Sequence, residues 1–310
     1  MNMTIIDQLK STLNQYIIGK ETAIELLLIA LLAKGHVLIE DVPGIGKTTM
    51  VNALAKSLDL SFNRIQFTPD LMPSDITGFN LYNPKLSDFV FQPGAIMAQL
   101  VLADEINRSS PKTQSALLEA MQEYQVTVDQ VTYDIPQPFM VLATQNPIEY
   151  VGTYPLPEAQ LDRFMLKITL GYPNHQEELQ ILETYGDAQP LDYLSAIATR
   201  DQILALQEKA QTIYISDSLK AYLIEIIQAT RNHPQLKLGA SPRASLMLLK
   251  AAKARALIYN RDYVLPEDIQ ALVKPVLNHR VQISASAKLE DQNIELLLDE
   301  IINQIKSPRQ

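Results

Sequence analysis

Apolar positions in the first half of the chain predict helices and strands in alternation. Positions at helical spacing are Ile5, Ile6, Leu9 and Leu13, then the mostly apolar stretch 21–34, then Val51, Leu54, Ala55 and Leu58. Predicted strands cover 36–40, 63–67, 100–103 and 139–144. Strands that alternate with helices pair in parallel and need cover on both faces. The pattern therefore predicts an α/β fold with a mainly parallel sheet sandwiched between helices.

Two segments interrupt this alternation. Residues 78–94 carry apolar arms on both sides of an Asn-Pro turn, which predicts a hairpin or a short insert. Residues 125–135 alternate apolar and polar side chains around Asp129-Gln130, which predicts a second β-hairpin.

The predicted secondary structure changes after residue 187. From Arg200 onward the apolar spacing is helical, and Ser216, Ser241 and Pro266 have the character of helix starts. We therefore predict two domains, an α/β domain over residues 1–186 and an all-helical domain over residues 187–310.

The stretch HVLIEDVPGIGKT, residues 36–48, joins an apolar strand to a glycine-containing loop and the start of a helix. Such a loop turns its backbone N–H groups toward phosphate oxygens, and the helix adds the positive end of its dipole. Lys47 would contact the β- and γ-phosphates, and the Thr48 hydroxyl would ligate Mg²⁺. The strict pattern has glycine where this chain has Asp41, so the segment is a slightly off-pattern P-loop. A plain Gly-Pro turn before a helix is the alternative.

Two carboxylates follow the apolar run that starts at Leu100. Asp104 and Glu105 would lie at the carboxyl end of a strand, where ligands bind in parallel sheets. Phosphoryl transfer needs mainly positioning and charge neutralisation, so Asp104 would hold the Mg²⁺ shell through water and Glu105 would polarise the attacking water. Many strands end in exposed acids, so the pair is a weak indication of a metal site by itself. The upstream P-loop makes it a strong one.

Polar residues at three further positions could contact phosphate. Asn146 follows the strand over 139–144, where it could orient water; a turn residue before proline is the alternative. Arg163 ends a short helix and Arg243 begins a helix of the second domain, and planar cations suit transferring phosphate oxygens. A lone arginine is more often a salt-bridge partner. Arg108, close to the acid pair, could contact a neighbouring molecule.

Composition excludes several classes of protein. The chain has 310 residues, 47% of them hydrophobic, with no expected signal peptide or membrane span. It has no cysteine, so disulfides and thiolate metal sites are excluded, which fits a reducing compartment. A net charge of -9 without a basic run argues against a dedicated nucleic-acid motor. Four histidines without metal-ligand spacing are expected to be surface or boundary residues: His36, His175, His233 and His279.

The order of these motifs resembles the MoxR group of AAA+ ATPases. The resemblance runs from about residue 17 to about residue 281. Its two central stretches, LADEINRSSPKTQSALLEAMQE and ATQNPIEYVGTYPLPEAQLDRF, are long and specific. VPGIGKT precedes them, and GASPRA, ARALIYNRDYVLPEDI and PVLNHRV follow. The resemblance implies an AAA+ nucleotide-binding domain followed by a helical lid domain.

The resemblance also implies a set of site residues, with ATP or ADP and Mg²⁺ as ligands. Those that would bind the nucleotide are Ile18, Gly19, Pro43, Gly44, Ile45, Gly46, Lys47, Thr48 and Thr49, with Ile18-Gly19 near the adenine. Those that would act in catalysis are Glu105 in Walker B, Asn146 as sensor 1, Arg163 as arginine finger and Arg243 as sensor 2. Thr48 and Asp104 would hold the metal.

The resemblance further implies a homo-oligomeric ring, expected to be a cytoplasmic hexamer, in which Arg163 completes a neighbour's site. Family members resemble chaperones that remodel or activate partners, often von Willebrand factor A domain proteins, sometimes during metal-cofactor insertion or complex assembly. The two hairpins would be the second-helix insert and the pre-sensor hairpin of this branch, serving as plain connections or reaching a central opening.

Three other functions stay open at this point. A magnesium-chelatase-like motor would be stimulated by a chelatase partner with a porphyrin substrate. A nucleotide-gated scaffold would bind ATP and assemble with negligible turnover, although the intact acid pair argues against it. A nucleic-acid translocase would bind DNA in a salt-dependent way, which the acidic charge disfavours.

Overall fold

The computed structural model describes residues 4–42, 44–146, 153–186 and 190–308. Contacts divide the chain into two compact units. The first unit comprises residues 1–25, 36–156 and 168–204, and the second comprises residues 26–35, 157–167 and 205–310. The single domain boundary near residue 187 stays a prediction, and residues 187–189 lie outside the described residues.

Helices and strands alternate as far as residue 185, and each strand predicted for the sheet lies within one residue of its expected bounds. The elements are α1 (Ile5–Tyr16), α2 (Glu21–Leu32), β1 (Val37–Glu40), α3 (Lys47–Ser57), β2 (Phe62–Gln66), α4 (Pro73–Thr77), β3 (Gly78–Asn83), β4 (Asp88–Pro93), β5 (Leu100–Asp104), α5 (Pro111–Glu123), β6 (Gln125–Val128), β7 (Val131–Asp134), β8 (Met140–Gln145), α6 (Glu158–Leu161), β9 (Leu166–Ile168) and α7 (His175–Tyr185).

Five of the described strands form one sheet in the order β2-β5-β8-β1-β9. The pairs β2–β5, β5–β8 and β8–β1 are all parallel. All but the last residue of β5 and of β8 are buried, as expected for strands covered on both faces. The predicted mainly parallel α/β sheet is therefore confirmed. Its parallel strands end at a common edge, where Glu40 pairs with Gln145 and Gln66 pairs with Asp104.

Both predicted hairpins are present in the first unit. Strands β3 and β4 pair antiparallel, as do β6 and β7. The turn of the second hairpin places Asp129 and Gln130 at positive φ, the conformation that tight hairpin turns require. Phe91 of the first hairpin stacks on Tyr133 of the second with ring centroids 3.8 Å apart, so the two hairpins pack against each other.

The C-terminal part is helical, as expected, with one addition. Ser216 and Ser241 cap helices by accepting from Leu219 N and Ala244 N. The addition is an antiparallel ribbon of two very short strands, which have too few residues to show a period. The elements are α8 (Arg200–Thr212), α9 (Asp217–Asn232), β10 (Leu236–Leu238), α10 (Pro242–Ile258), α11 (Pro266–Leu277), β11 (Gln282–Ile283), α12 (Ala285–Leu289) and α13 (Ile294–Gln304). In the described ranges, no helix is both long and apolar enough to cross a membrane.

Two of the histidines expected at the surface or boundary are instead buried, so that expectation is wrong for His36 and His279. His36 Nε2 donates to the Met121 carbonyl at 2.9 Å, and His36 Nδ1 accepts from Val141 N at 3.0 Å. These backbone partners satisfy a neutral ring inside the core. Burial lowers the pKa of His36 to about 4, although the bond to Met121 partly offsets the shift. Burial and then Arg280 lower the pKa of His279.

His36 should make the stability of the protein depend on pH. The unfolded chain binds a proton at His36 below about pH 6.5, whereas the folded protein does so only near pH 4. Its contribution is therefore complete above pH 6.5 and is lost as the pH falls toward 4, by on the order of 3 kcal/mol. In urea titrations between pH 7 and 4, His36→Asn should flatten this fall. Its matched control is His175→Asn at an exposed position, which should keep the wild-type slope; equal slopes in both variants would contradict the assignment.

Candidate active site

The loop between β1 and α3 has the backbone geometry of a phosphate cradle. Gly44 and Gly46 have φ of 85° and 87°, which side chains other than glycine rarely adopt. A Cβ at either position would meet no described atom within 4 Å, so the space above the loop is open. Among the described residues, no side chain caps the first turn of α3. The N-terminal end of α3, which carries the positive end of the helix dipole, therefore suits an anion.

Asp41, the off-pattern residue, fixes the start of this loop. Its buried Oδ2 accepts from the backbone N–H groups of Leu170 and Gly171 at 2.6 and 2.7 Å, and Oδ1 accepts from Val42 N at 2.9 Å. Lys20 Nζ donates to the carbonyls of Leu170 and Gly171. The N–H groups of Leu170 and Gly171 are thus bound by Asp41, and their carbonyls are bound by Lys20. Sequence reasoning treated Asp41 only as a departure, and no local pattern reveals partners so far along the chain.

Lys47 connects the loop to the acid pair. Its Nζ donates to the Asp41 carbonyl at 3.0 Å. Burial lowers the pKa of Lys47, and the nearby carboxylates of Asp104, Asp41 and Glu105 partly offset that shift. The structure therefore brings the predicted lysine and both predicted acids into one electrostatic neighbourhood. Thr48 and Thr49 follow in the first turn of α3, where both are half-buried.

The two acids occupy the end of β5 and the residue after it. Thr144 Oγ1, on β8, donates to Asp104 Oδ1 at 2.6 Å and accepts from Glu105 N at 2.8 Å. Glu105 has a left-handed backbone with φ of 56°, which turns the chain into a short 3₁₀ segment. Asn146 is buried directly after β8, at the same edge of the sheet. The structure therefore gathers three of the predicted polar residues at the ends of adjacent strands.

Side chains on neighbouring elements also contact the acids. Arg64 Nη2 lies 2.6 Å from Asp104 Oδ2, and Gln66 Nε2 donates to Glu105 Oε2 at 2.8 Å. Arg108 Nη1 donates to that same Glu105 oxygen at 2.8 Å. Sequence reasoning assigned no role to Arg64 or Gln66. Polar residues alternate along β2, which indicates that Arg64 and Gln66 share one face of the strand. The order of strands in the sheet is needed to show that they contact Asp104 and Glu105.

A cavity of about 470 Å³ adjoins the cradle within the first unit. Of the predicted residues, Ile18, Gly44, Ile45, Gly46 and Thr49 line it. The remainder of its wall includes Tyr16, Tyr172, Leu182 and Tyr185, which sequence reasoning missed. Apolar and aromatic side chains suit a flat aromatic ring such as adenine.

Gly19, predicted to lie near the adenine, packs closely against the start of α7. Gly19 has φ of 70°, and a Cβ there would approach the Glu177 carboxylate to 2.2 Å, so only glycine fits without a shift. Tyr185 OH donates to the Tyr16 carbonyl at 2.6 Å. This bond joins α7 to the residue that ends α1, next to the predicted adenine contacts. Pro43, also predicted to bind nucleotide, lies outside the described residues.

Arg163 and Arg243 belong to the second unit. Each is adjacent to one polar cluster: Asp162 accepts from Ser241 Oγ at 2.9 Å and from Arg280 Nε at 2.8 Å. Burial, together with the charge of Arg243, lowers the pKa of Arg280 to about 10, whereas its bond to Asp162 raises it. Arg280 therefore anchors the chain beside Arg163, a role that sequence reasoning did not assign.

Oxygen ligands and phosphate-facing groups fit Mg²⁺ and a nucleotide. A threonine hydroxyl and one strand-end carboxylate are hard donors, which Mg²⁺ prefers alongside water and substrate phosphates. In the described part of the chain, no group of three or more histidine, aspartate or glutamate side chains could form a separate metal cage. The threonine hydroxyl and the carboxylate therefore suit a Mg²⁺ ion that also takes substrate phosphates as ligands.

Comparison with known proteins agrees with this geometry. Residues 36–166 match the family model described as ATPase family associated with various cellular activities (AAA), and residues 228–301 match the AAA lid domain. The crystal structure of a protein from Cytophaga hutchinsonii assigned as an ATPase superposes with a TM-score of 0.92 at 41% identity, over 98% of this chain and 95% of that one. The chain is thus a AAA+ protein, with a parallel sheet and a helical lid.

Three relatives are similar to the chain along most of its length, and two of them carry the MoxR name. The chain is 41% identical to Chaperone MoxR1 of Mycobacterium tuberculosis, over 94% of this chain and 80% of the relative. It is 30% identical to Protein MoxR of Paracoccus denitrificans, over 89% and 88%. The uncharacterized protein YeaC of Bacillus subtilis is 53% identical over 96% and 93%. The chain belongs to the MoxR family of AAA+ ATPases, and it is an ATP-hydrolysing enzyme.

Asp41→Gly would restore the strict P-loop pattern, yet we expect it to damage the protein. The change leaves the amides of Leu170, Gly171 and Val42 without their acceptor, so the free energy of unfolding should fall by on the order of 3 kcal/mol. ATP affinity should fall with it. Denaturant titration and calorimetric ATP binding measure both effects. The control is Asp59→Gly, an exposed position with φ of 49° where glycine is favourable; wild-type stability and affinity in Asp41→Gly would refute the anchoring role.

Proposed function

We propose that the chain couples ATP hydrolysis, at the site formed by the P-loop and the acid pair, to the remodelling or activation of partner proteins. One observation carries the choice of site: β1, which leads into the P-loop, and β5, which ends at the acid pair, both pair in parallel with β8, so the P-loop and the acids lie at the same edge of the sheet. A P-loop lysine beside two strand-end acids is the arrangement that phosphoryl transfer requires. The intact acid pair favours turnover over a nucleotide-gated scaffold.

Each residue has a separate task in the proposed reaction. The N–H groups of the loop and of the first turn of α3 bind the phosphates, and Lys47 neutralises charge on the β- and γ-phosphate oxygens. Thr48 and Asp104 hold the metal, and bound Mg²⁺ would supply further charge neutralisation. Glu105 accepts a proton from the attacking water, which Asn146 orients. Ile18 and Gly19 contact the adenine.

Glu105→Gln tests this assignment. An amide accepts no proton from water but keeps the shape of the side chain, so kcat should fall by roughly 10²–10⁴-fold while ATP binding persists. Mg²⁺-dependent phosphate release and calorimetric binding provide the two measurements. Glu119→Gln, a change of the same type at an exposed position on α5, should keep wild-type turnover. Unchanged kcat in Glu105→Gln would refute the site.

The Glu105→Gln variant also tests the remodelling role, because an ATP-bound state that cannot turn over should retain partners. In a pull-down, Glu105→Gln loaded with ATP should retain partner proteins. Lys47→Ala lacks the phosphate contact and should not retain them. Chaperone MoxR1 carries this role in its name, and by analogy we propose partners such as von Willebrand factor A domain proteins. Recovery of identical proteins by both variants would contradict the role.

The paired hairpins of the first unit are the proposed contact with a partner. Their outer apolar side chains are exposed, and Tyr82 and Phe89 pack edge to face with centroids 5.5 Å apart. These side chains lie on both faces of the β3–β4 hairpin, since Phe79 and Leu81 have the opposite parity to the paired Tyr82 and Phe89. Exposed apolar side chains gathered on one hairpin favour protein contacts. The exposed side chains are Phe79, Leu81, Tyr82, Leu86, Phe89 and Val131.

We further propose that the chain forms a ring, expected to be a hexamer, in which Arg163 acts on the ATP of a neighbouring copy and Arg243 on the ATP of its own copy. A planar cation supplied by a neighbour can stabilise the charge of the transition state. The AAA lid match and the similarity to MoxR proteins support this arrangement.

Mixing two inactive variants tests the ring. Lys47→Ala lacks a phosphate contact and Arg163→Ala lacks the proposed finger, so each alone should be inactive. When the two are co-assembled, some interfaces combine an intact P-loop with an intact Arg163, and part of the ATPase activity should return. The matched control mixes each variant with itself. Activity of Arg163→Ala alone, or no recovery in mixtures that have formed rings, would contradict action between copies.

A further inference from the structure

Two charged side chains bind one short backbone segment that leads to the cavity. Asp41 Oδ2 accepts from the N–H groups of Leu170 and Gly171 at 2.6 and 2.7 Å. Lys20 Nζ donates to the carbonyls of the same two residues at 2.9 and 3.1 Å. Each of these four bonds involves a charged group, and such bonds are stronger than those between neutral groups. We call this arrangement the Lys20–Asp41 clamp.

Beyond Leu170, packing restrains this segment only weakly. Leu170 is buried, whereas Tyr172 is 74% exposed. Gly171 has a left-handed backbone with φ of 66°, and a Cβ there would meet no described atom within 4 Å. In the described part of the chain, the clamp is therefore the main polar restraint on the turn that leads to Tyr172.

Tyr172 and Lys20 both belong to the wall of the cavity beside the P-loop. They line it together with Gly44 and Ile45 of the loop and with Ile18, which is predicted to lie near the adenine. The face of an aromatic ring suits stacking with a nucleotide base. The clamp therefore determines where the Tyr172 ring lies at the cavity.

Asp41 also belongs to the phosphate loop. Its Oδ1 accepts from Val42 N at 2.9 Å, and its carbonyl accepts from Lys47 Nζ at 3.0 Å. Its own N–H donates to the Gln145 carbonyl at 3.1 Å, which continues the parallel pairing of β1 with β8. One buried residue is thus anchored to the sheet and binds both the loop and the cavity wall, so it fixes the distance between the two.

We propose that Lys20 and Asp41 are positioning residues that hold the Tyr172 ring against the base of a bound nucleotide. Without the Lys20 ammonium group, the carbonyls of Leu170 and Gly171 bind water instead, and the ring loses its fixed place. The P-loop keeps its contacts, because these run through Asp41. Base binding should therefore weaken while phosphate binding persists. The inference rests on the proposed function, because it takes the P-loop as the phosphate site and the adjoining cavity as the base site.

Lys20→Met tests the clamp with two ligands, a hydrolysis-resistant ATP analogue and inorganic triphosphate. Methionine keeps an unbranched apolar side chain and lacks the ammonium group. In calorimetric titrations of the full chain with Mg²⁺, the Kd of the analogue should rise by roughly 3- to 10-fold, part of the effect of losing a base–aromatic stack. Inorganic triphosphate has no base, so its Kd, measured by competition with the analogue, should keep the wild-type value. A damaged fold or a general loss of positive charge would weaken both ligands.

Lys56→Met is the matched control. It removes the same group from an exposed lysine whose Nζ also donates to a backbone carbonyl, that of Leu191, at 2.9 Å. Both ligands should bind it as they bind the wild type. Equal weakening of the two ligands in Lys20→Met, or an unchanged Kd of the analogue, would overturn the proposal. Failure of the wild-type chain to bind the analogue would instead refute the proposed function. Lys20→Gln replaces Lys20→Met if the latter does not fold.

The same separation should appear in turnover. In Lys20→Met, the KM for ATP should rise by the same factor as the Kd of the analogue. The kcat at saturating ATP should stay near the wild-type value, because the acid pair is untouched. This measurement decides the outcome if inorganic triphosphate competes too weakly to be measured. A fall of kcat with an unchanged KM would overturn the proposal.

Tyr172→Ala tests whether the clamp acts through the ring. It should raise the Kd of the analogue by roughly 5- to 50-fold, the effect of losing a base–aromatic stack. The double variant with Lys20→Met should bind no more weakly than Tyr172→Ala, because both changes remove the same stack. Tyr193→Ala is the matched control, at a position that is 81% exposed and does not line the described cavity. Multiplied losses in the double variant, or an unchanged Kd in Tyr172→Ala, would overturn the role of the ring.

Discussion

Parallel pairing of β1, β5 and β8 is the constraint on which the site depends. Parallel strands end at one edge, so the register that pairs Glu40 with Gln145 also places the P-loop beside the end of β8. The same rule aligns β5 with β8, and Thr144 can therefore hold both Asp104 and the backbone of Glu105. A strand inserted at the sheet centre would separate these groups by about 5 Å.

Charge is distributed around this edge so that no described acid of the site is left without a compensating group. Lys47 balances the strand-end carboxylates from the side of the cradle, and Arg64 and Arg108 do so from the more exposed side. Lys47 is half-buried and held by a backbone carbonyl, whereas the two arginines extend into solvent. The acids are therefore flanked by positive charge both on the buried side and on the solvent side of the sheet edge.

Features set by local pattern were predictable from the sequence, and features set by strand order were not. The glycine spacing of the P-loop, the acids after β5 and the Asp129-Gln130 turn each depend on a few neighbouring residues. The partners of Asp41 Oδ2 lie 129 and 130 residues away, and the acid that pairs with Arg64 lies on a strand 40 residues later. The burial of His36 could not be predicted from its neighbours in sequence, because its hydrogen-bond partners are backbone groups of distant elements.

The anchor of Asp41 also sets when a nascent chain can acquire a working cradle. Within the described residues, its Oδ2 accepts from amides 129 and 130 residues downstream, so this anchor cannot form until Leu170 has left the ribosome. At synthesis rates of about 5–20 residues per second, the loop waits roughly 6–26 s after Asp41 is made. During those seconds the nascent chain contains the P-loop glycines but lacks the hydrogen bonds from Leu170 and Gly171 to Asp41. Nucleotide binding is therefore expected late in synthesis.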